Sequence, residues 1–250
     1  MLRTARPSKT DANPQLLVVL ATTVRGFRLS VILLVTVLLA MLAFQSAAFA
    51  QPHWYVGNSR SLGAGVKADI RTPSMMPDVG NGGIANFVSN IDENYGTSDW
   101  VQVGWCQGDG EFQVMDGTAL PTVPKSYREA YLGDGAFYDF DLYSAQPLNY
   151  ARACEVVALS QQYGKWYWRT KIAGQNRGDY WGFVKKSPVV ATSEMIVSTQ
   201  NDCMAGFNNV KYKGDYTWMS FDQDNRFEDD PPFSLVWYYT WKYSTHAGDL

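Results

Sequence analysis

Short apolar runs in which every second residue is polar, separated by clusters of Gly, Asn, Asp and Pro, extend through most of the chain. Successive side chains of an extended strand point to opposite faces, so this pattern predicts half-buried strands. Ten are predicted: Ala85–Ile91, Asp99–Trp105, Phe137–Tyr143, Cys154–Ser160, Lys165–Ala173, Tyr180–Val184, Ser193–Thr199, Phe207–Lys213, Tyr216–Phe221 and Ser234–Tyr243. No stretch holds apolar positions at helical spacing without a turn residue interrupting it, so the expectation for 84–250 is an all-β sandwich or barrel. Residues 51–83, rich in Gly, Ser, Pro and Asn, are expected to form an irregular N-terminal arm.

The N-terminus follows another pattern. Val31 to Phe44 is an unbroken apolar run of 14 residues, preceded by Arg25 and Arg28 and followed by Ala48-Phe49-Ala50. A charged stretch, an apolar stretch and an A-x-A site make a signal peptide over residues 1–50, cleaved before Gln51. The run is shorter than the ~20 residues a membrane-crossing helix needs, so no stable membrane anchor is expected. An uncleaved anchor is the alternative, because Leu16 to Thr23 is also apolar. The expected location of the mature chain is outside the cell or at its surface.

Removing that segment changes the charge. It holds five Lys/Arg and one Asp, which leaves 16 basic and 23 acidic side chains of the original 21 and 24, a net charge of −7. An acidic surface without a basic run repels phosphate backbones, so nucleic acid is not an expected partner. Cys106, Cys154 and Cys203 show no C-x-x-C spacing; in an exported chain one disulfide and one free thiol are expected, with all three pairings open.

Aromatic residues make up 14% of the sequence, many at alternating positions. In Lys165–Ala173, Trp166, Trp168, Thr170 and Ile172 share one face and Tyr167, Arg169 and Lys171 the other. The indoles either fill the core or form a ligand-facing platform.

Candidate chemistry is restricted by what the chain lacks. The only histidines are His53 and His246, both expected in tails, so a Ser-His-Asp or Cys-His arrangement has no base. No His-based metal motif is present, and no metal or cofactor is expected. The run from Asp222 through Asp224, Asn225, Glu228, Asp229 and Asp230 lacks the glycine and terminal glutamate of a calcium loop and reads as a solvated acidic turn. Carboxylate and amide chemistry remain. Alternation in Asp99–Trp105 places Gln102 on one face with Trp100 and Gly104, and in Ser193–Ser198 Glu194 stands among apolar neighbours. Desolvation there raises a carboxyl toward the range useful for general acid–base catalysis. Ordinary solvent-facing positions are the other reading of both.

These segments resemble the glutamic peptidases of the eqolisin type and, more loosely, neprosin-like proteins. The family's L-Q-T-G-V-D-F strand is similar to Val101-Gln102-Val103-Gly104-Trp105, its W-Y-E-W-Y segment to Tyr127-Arg128-Glu129-Ala130-Tyr131, and its A-E-W-I-V-E strand to Ser193-Glu194-Met195-Ile196-Val197. Its W-V-G-I-D segment is echoed by Phe87-Val88-Ser89-Asn90-Ile91-Asp92. The resemblance implies a concanavalin-like antiparallel β-sandwich of jelly-roll type. It further implies Gln102 and Glu194 as catalytic residues facing each other on neighbouring strands, with Trp100, Glu129, Tyr131 and Asp92 at the substrate. The implied activity is acid cleavage of polypeptides without metal or covalent intermediate. A carbohydrate-binding or carbohydrate-cleaving sandwich, with Glu129 and Glu194 as its carboxylate pair, and a non-catalytic adhesive protein are the alternatives.

Overall fold

The computed structural model describes residues 53–250 except 93–98, 134–135, 164, 184–185, 199, 223–225, 229–232, 240 and 248–250. The segment expected to be a signal peptide and its expected cleavage site lie outside the described residues, as do Asp224, Asn225, Asp229 and Asp230 of the acidic run.

Among the described residues there are fifteen strands and no helix. They are β1 (His53–Gly63), β2 (Gly65–Arg71), β3 (Gly83–Asp92), β4 (Asp99–Gly108), β5 (Lys125–Leu132), β6 (Phe137–Ala145), β7 (Ala151–Gln162), β8 (Lys165–Ile172), β9 (Gln175–Phe183), β10 (Ser187–Ile196), β11 (Cys203–Lys213), β12 (Trp218–Ser220), β13 (Arg226–Glu228), β14 (Ser234–Tyr239) and β15 (Lys242–Ala247). Two antiparallel sheets result. One has seven strands in the order β13-β1-β10-β3-β4-β5-β6; the other has eight, β14-β15-β11-β2-β7-β8-β9, with β12 paired to β11.

The two sheets bury their apolar faces against each other, as period-two alternation requires. Val56, Ile84, Val88, Val101, Val103, Trp105, Ala191 and Met195 of the seven-stranded sheet meet Val66, Ile70, Val156, Trp168, Ile172, Phe207 and Tyr243 of the other. Trp168, Thr170 and Ile172 are fully buried, so the core reading of that strand holds. Arg128 faces this interior too. Its guanidinium donates to Asp139, Asp141 and the Tyr180 hydroxyl, tying β5 and β6 to β9 across the sandwich.

Three expectations are corrected. Residues 51–83 are not an irregular arm: β1 and β2 pair with β10 and with β7 and β11, one in each sheet. Gly57, Gly63 and Gly65 interrupt the apolar pattern there, so turn composition masks two strands. Ser234–Tyr243 is a hairpin, β14–β15, rather than one strand. All three cysteines are free and buried, and none is within disulfide distance of another. Cys154 and Cys203 lie in the inter-sheet core on β7 and β11, whereas Cys106 lies on the opposite face of β4.

The seven-stranded sheet has a second apolar cluster on its outer face. Ala85, Phe87, Cys106, Tyr127, Phe140 and Val190 are covered by Leu120, Phe112 and Val114 from the β4–β5 connection. Asp109 fixes the entry to that connection by accepting hydrogen bonds from the backbone of Glu111 and Phe112, and Leu120 N donates to Phe112 O at 2.9 Å. A folded flap therefore lies over part of an otherwise solvent-facing sheet.

Candidate active site

Beside this flap, strand register collects polar groups. Gln102 on β4 is opposite Glu129 on β5, and Glu129 is opposite Phe140 on β6. Directly paired residues share a face, as do residues two apart on a strand. Trp100, Gln102, Tyr127, Glu129 and Tyr131 therefore stand together on the outer face with Tyr138 of β6. Glu194 belongs to the same face by way of Ala85 and Cys106. Five of the six residues expected at the site are thus gathered on one surface.

Gln102 is 8% exposed and donates through Nε2 to Glu129 Oε2 at 2.6 Å and to the Tyr127 hydroxyl at 3.1 Å. Tyr138 donates its hydroxyl to Glu129 Oε1 at 2.8 Å, so both carboxylate oxygens are engaged. Burial pushes the Glu129 carboxyl up to about 7, with the Glu194 charge adding to the rise; the bonds from Tyr138 and Gln102 and the charge on His53 oppose it. Burial, followed by the charge on Glu129, also raises the Tyr138 and Tyr127 hydroxyls. Trp100 and Tyr131, both partly exposed, stack with ring centroids 4.3 Å apart and make an aromatic wall next to Gln102.

Glu194, 6% exposed, has another partner. His53 Nδ1 is 2.5 Å from Glu194 Oε1, and this bond raises the imidazole pKa while burial lowers it. His53 is the first residue of β1, paired with Ile196, and its ring stacks on Tyr55, which is opposite Glu194.

The expected geometry needs two corrections. Gln102 and Glu194 share a face but not neighbouring strands: β3 runs between them, and Glu194 is level with Cys106, four residues along β4 from Gln102. Asp92 pairs with Asp99, in the rows that alternate with those of Gln102 and Trp100, so register does not bring it to this face. Its side chain lies outside those described. Three residues were missed. Tyr127 is two positions before Glu129 and could have been found by alternation. Tyr138 becomes visible only when β6 folds back on β5. His53 was assigned to a tail because β1 itself went unseen.

The two-layer antiparallel sandwich is a fold shared with solved glutamic peptidases. Scytalido-glutamic peptidase, solved with a transition-state analogue inhibitor, superposes with a TM-score of 0.50 at 11% identity, covering 79% of this chain and 100% of the peptidase. A second structure of that enzyme, with a peptide-based analogue, gives 0.50 at 14% identity over the same shares. SCP-B, an eqolisin peptidase complexed with the tripeptide Ala-Ile-His, gives 0.50 at 11%. At these identities the likeness is one of fold. No protein-family profile and no curated protein sequence matches the chain.

Proposed function

We propose that this chain is a secreted, glutamic-peptidase-like acid endopeptidase. One observation carries the reading: the Gln102 carboxamide and the Glu129 and Glu194 carboxyl groups share one surface of the sheet, beside a half-exposed aromatic wall. The solved peptidases of this fold bind peptide-based inhibitors and a tripeptide, which supports polypeptide as the substrate.

In this mechanism Glu194 takes a proton from the water that attacks the scissile carbonyl, then returns it to the leaving amine. A carboxamide has two N–H donors. In the resting site Gln102 gives them to Glu129 and to the Tyr127 hydroxyl; on substrate binding the second passes from Tyr127 to the oxygen on which charge develops, and such a donor is worth about 2.7–4 kcal/mol in the transition state. Below about pH 7 the Glu129 carboxyl holds a proton, which removes a negative charge that would repel the developing oxyanion. Acid therefore favours the reaction. The test is incubation of the purified chain with unfolded protein at about pH 3 to 5, the range in which a carboxyl can return a proton. Gln102→Ala and Glu194→Gln should each lose roughly 100-fold or more in cleavage rate with circular dichroism unchanged. Full activity in Glu194→Gln would reject the mechanism.

The Trp100–Tyr131 stack supports a second reading, a carbohydrate-binding surface, since sugars pack on exposed aromatic faces. It entails retardation in a polysaccharide gel that Trp100→Ala abolishes and Glu194→Gln does not.

A further inference from the structure

His53 enters neither the family's motifs nor the steps above, yet its ring is hydrogen-bonded to the Glu194 carboxylate. Three observations fix its place. Its Nδ1 meets Oε1, one of the two carboxylate oxygens. The contact is asymmetric in burial: the Glu194 side chain is 8% exposed and the His53 side chain 36%, so the imidazole closes the site from the solvent edge. The ring is held by Tyr55, stacked 6.1 Å away with 12° between planes, and by the pairing of His53 with Ile196 at the end of β10. A carboxylate on a strand has rotamers that turn it along the sheet or away from it. An N–H fixed to one oxygen selects a single rotamer and leaves the other oxygen to accept a proton.

Resting on the peptidase reading, we infer that His53 is a positioning residue for Glu194: its Nδ1–H binds Oε1 and presents Oε2 to the attacking water. The ionisable groups near the pair include Tyr55 on β1, Glu129 and Tyr127 on β5, Cys106 on β4 and Cys203 on β11. Of these, Glu129 acts on His53 in the same direction as Glu194, favouring imidazolium. In acid, where the proposed reaction runs, the bond is that of an imidazolium N–H to Oε1. It persists as a neutral N–H to carboxylate bond above the imidazole pKa.

Two measurements on the full-length chain test this and fail separately. The first is imidazole titration by NMR, for which the sequence is convenient: His53 and His246 are the only histidines, and His246, bonded to Ser244, is an internal reference. His53 should titrate above the ordinary 6.5 and fall back in Glu194→Gln. A His53 midpoint at or below 6.5, or one indifferent to Glu194→Gln, would overturn the pairing. The second is kinetic. His53→Ala should lower kcat roughly 10- to 100-fold, the usual loss when a supporting hydrogen bond is removed, with KM little changed. His53→Asn places an amide N–H where Nδ1 stood and should recover much of that loss. An unchanged kcat in His53→Ala would overturn the positioning role. A wild-type chain that cleaves nothing while His53 titrates as expected would overturn the peptidase reading and the role together, leaving only an ion pair.

Discussion

Glu129 shows how much one half-buried carboxyl can govern. Its folded-state pKa of about 7 lies above the ordinary 4.5, so the folded state binds the extra proton between those values. Stability is therefore undiminished below about pH 4.5, declines as pH rises toward 7, and stays reduced above it, by roughly 3 kcal/mol for a shift of this size. Glu129→Gln removes the titration and keeps an acceptor for the Gln102 and Tyr138 donors. Urea denaturation should find the variant close to wild type at about pH 4.5 and more stable at about pH 8. Equal pH dependence in the two proteins would mean that Glu129 ionises freely. Composition alone gave no sign of this carboxyl's environment. The family resemblance nominated it for the substrate side, but the covering phenol of Tyr138 comes from another strand, and only the β5–β6 pairing reveals the contact.

Strand β4 carries Gln102 two residues from Gly104, and Gly104 allows β3 to approach. A Cβ at this position would stand 1.9 Å from Asn86 O and 2.7 Å from Phe87 Cα, both backbone atoms that no rotamer change can move. Gly104→Ala should therefore cost about 3 kcal/mol or more, read as a fall in the urea midpoint. A loss under ~1 kcal/mol would show that the strands separate freely. Strands with clean alternation, β3, β4, β7, β8 and β11, were legible in the sequence because one face of each is apolar. Strands β1 and β2 were not. Their glycines read as turn signals, while the pairing that makes them strands comes from β10 and β7, eighty residues or more away. Losing β1 from view also hid His53, so a missed element became a missed site residue.

The chain as a whole joins an acidic sequence to a sandwich whose three cysteines are free. Burial drives the Cys154 thiol up to about 12 and those of Cys106 and Cys203 higher still. Thiolate is the reactive form, so a thiol reagent should label none of the three in the native protein and all three in denaturant, with identical migration on reducing and non-reducing gels. Rapid native labelling would show that the core opens. Export with cleavage after Ala50, as the A-x-A site proposes, gives a mature chain beginning at Gln51; N-terminal sequencing that returns Met1 would exclude it. The central claim, hydrolysis by Gln102 and Glu194 on one sheet face, is tested most directly by the pH profile of polypeptide cleavage in wild type and Glu194→Gln. Cleavage should be greatest in acid, fall as pH rises through about 7 where Glu129 ionises, and be lost at every pH in the variant. A neutral or alkaline optimum, or a profile that Glu194→Gln leaves intact, would contradict it.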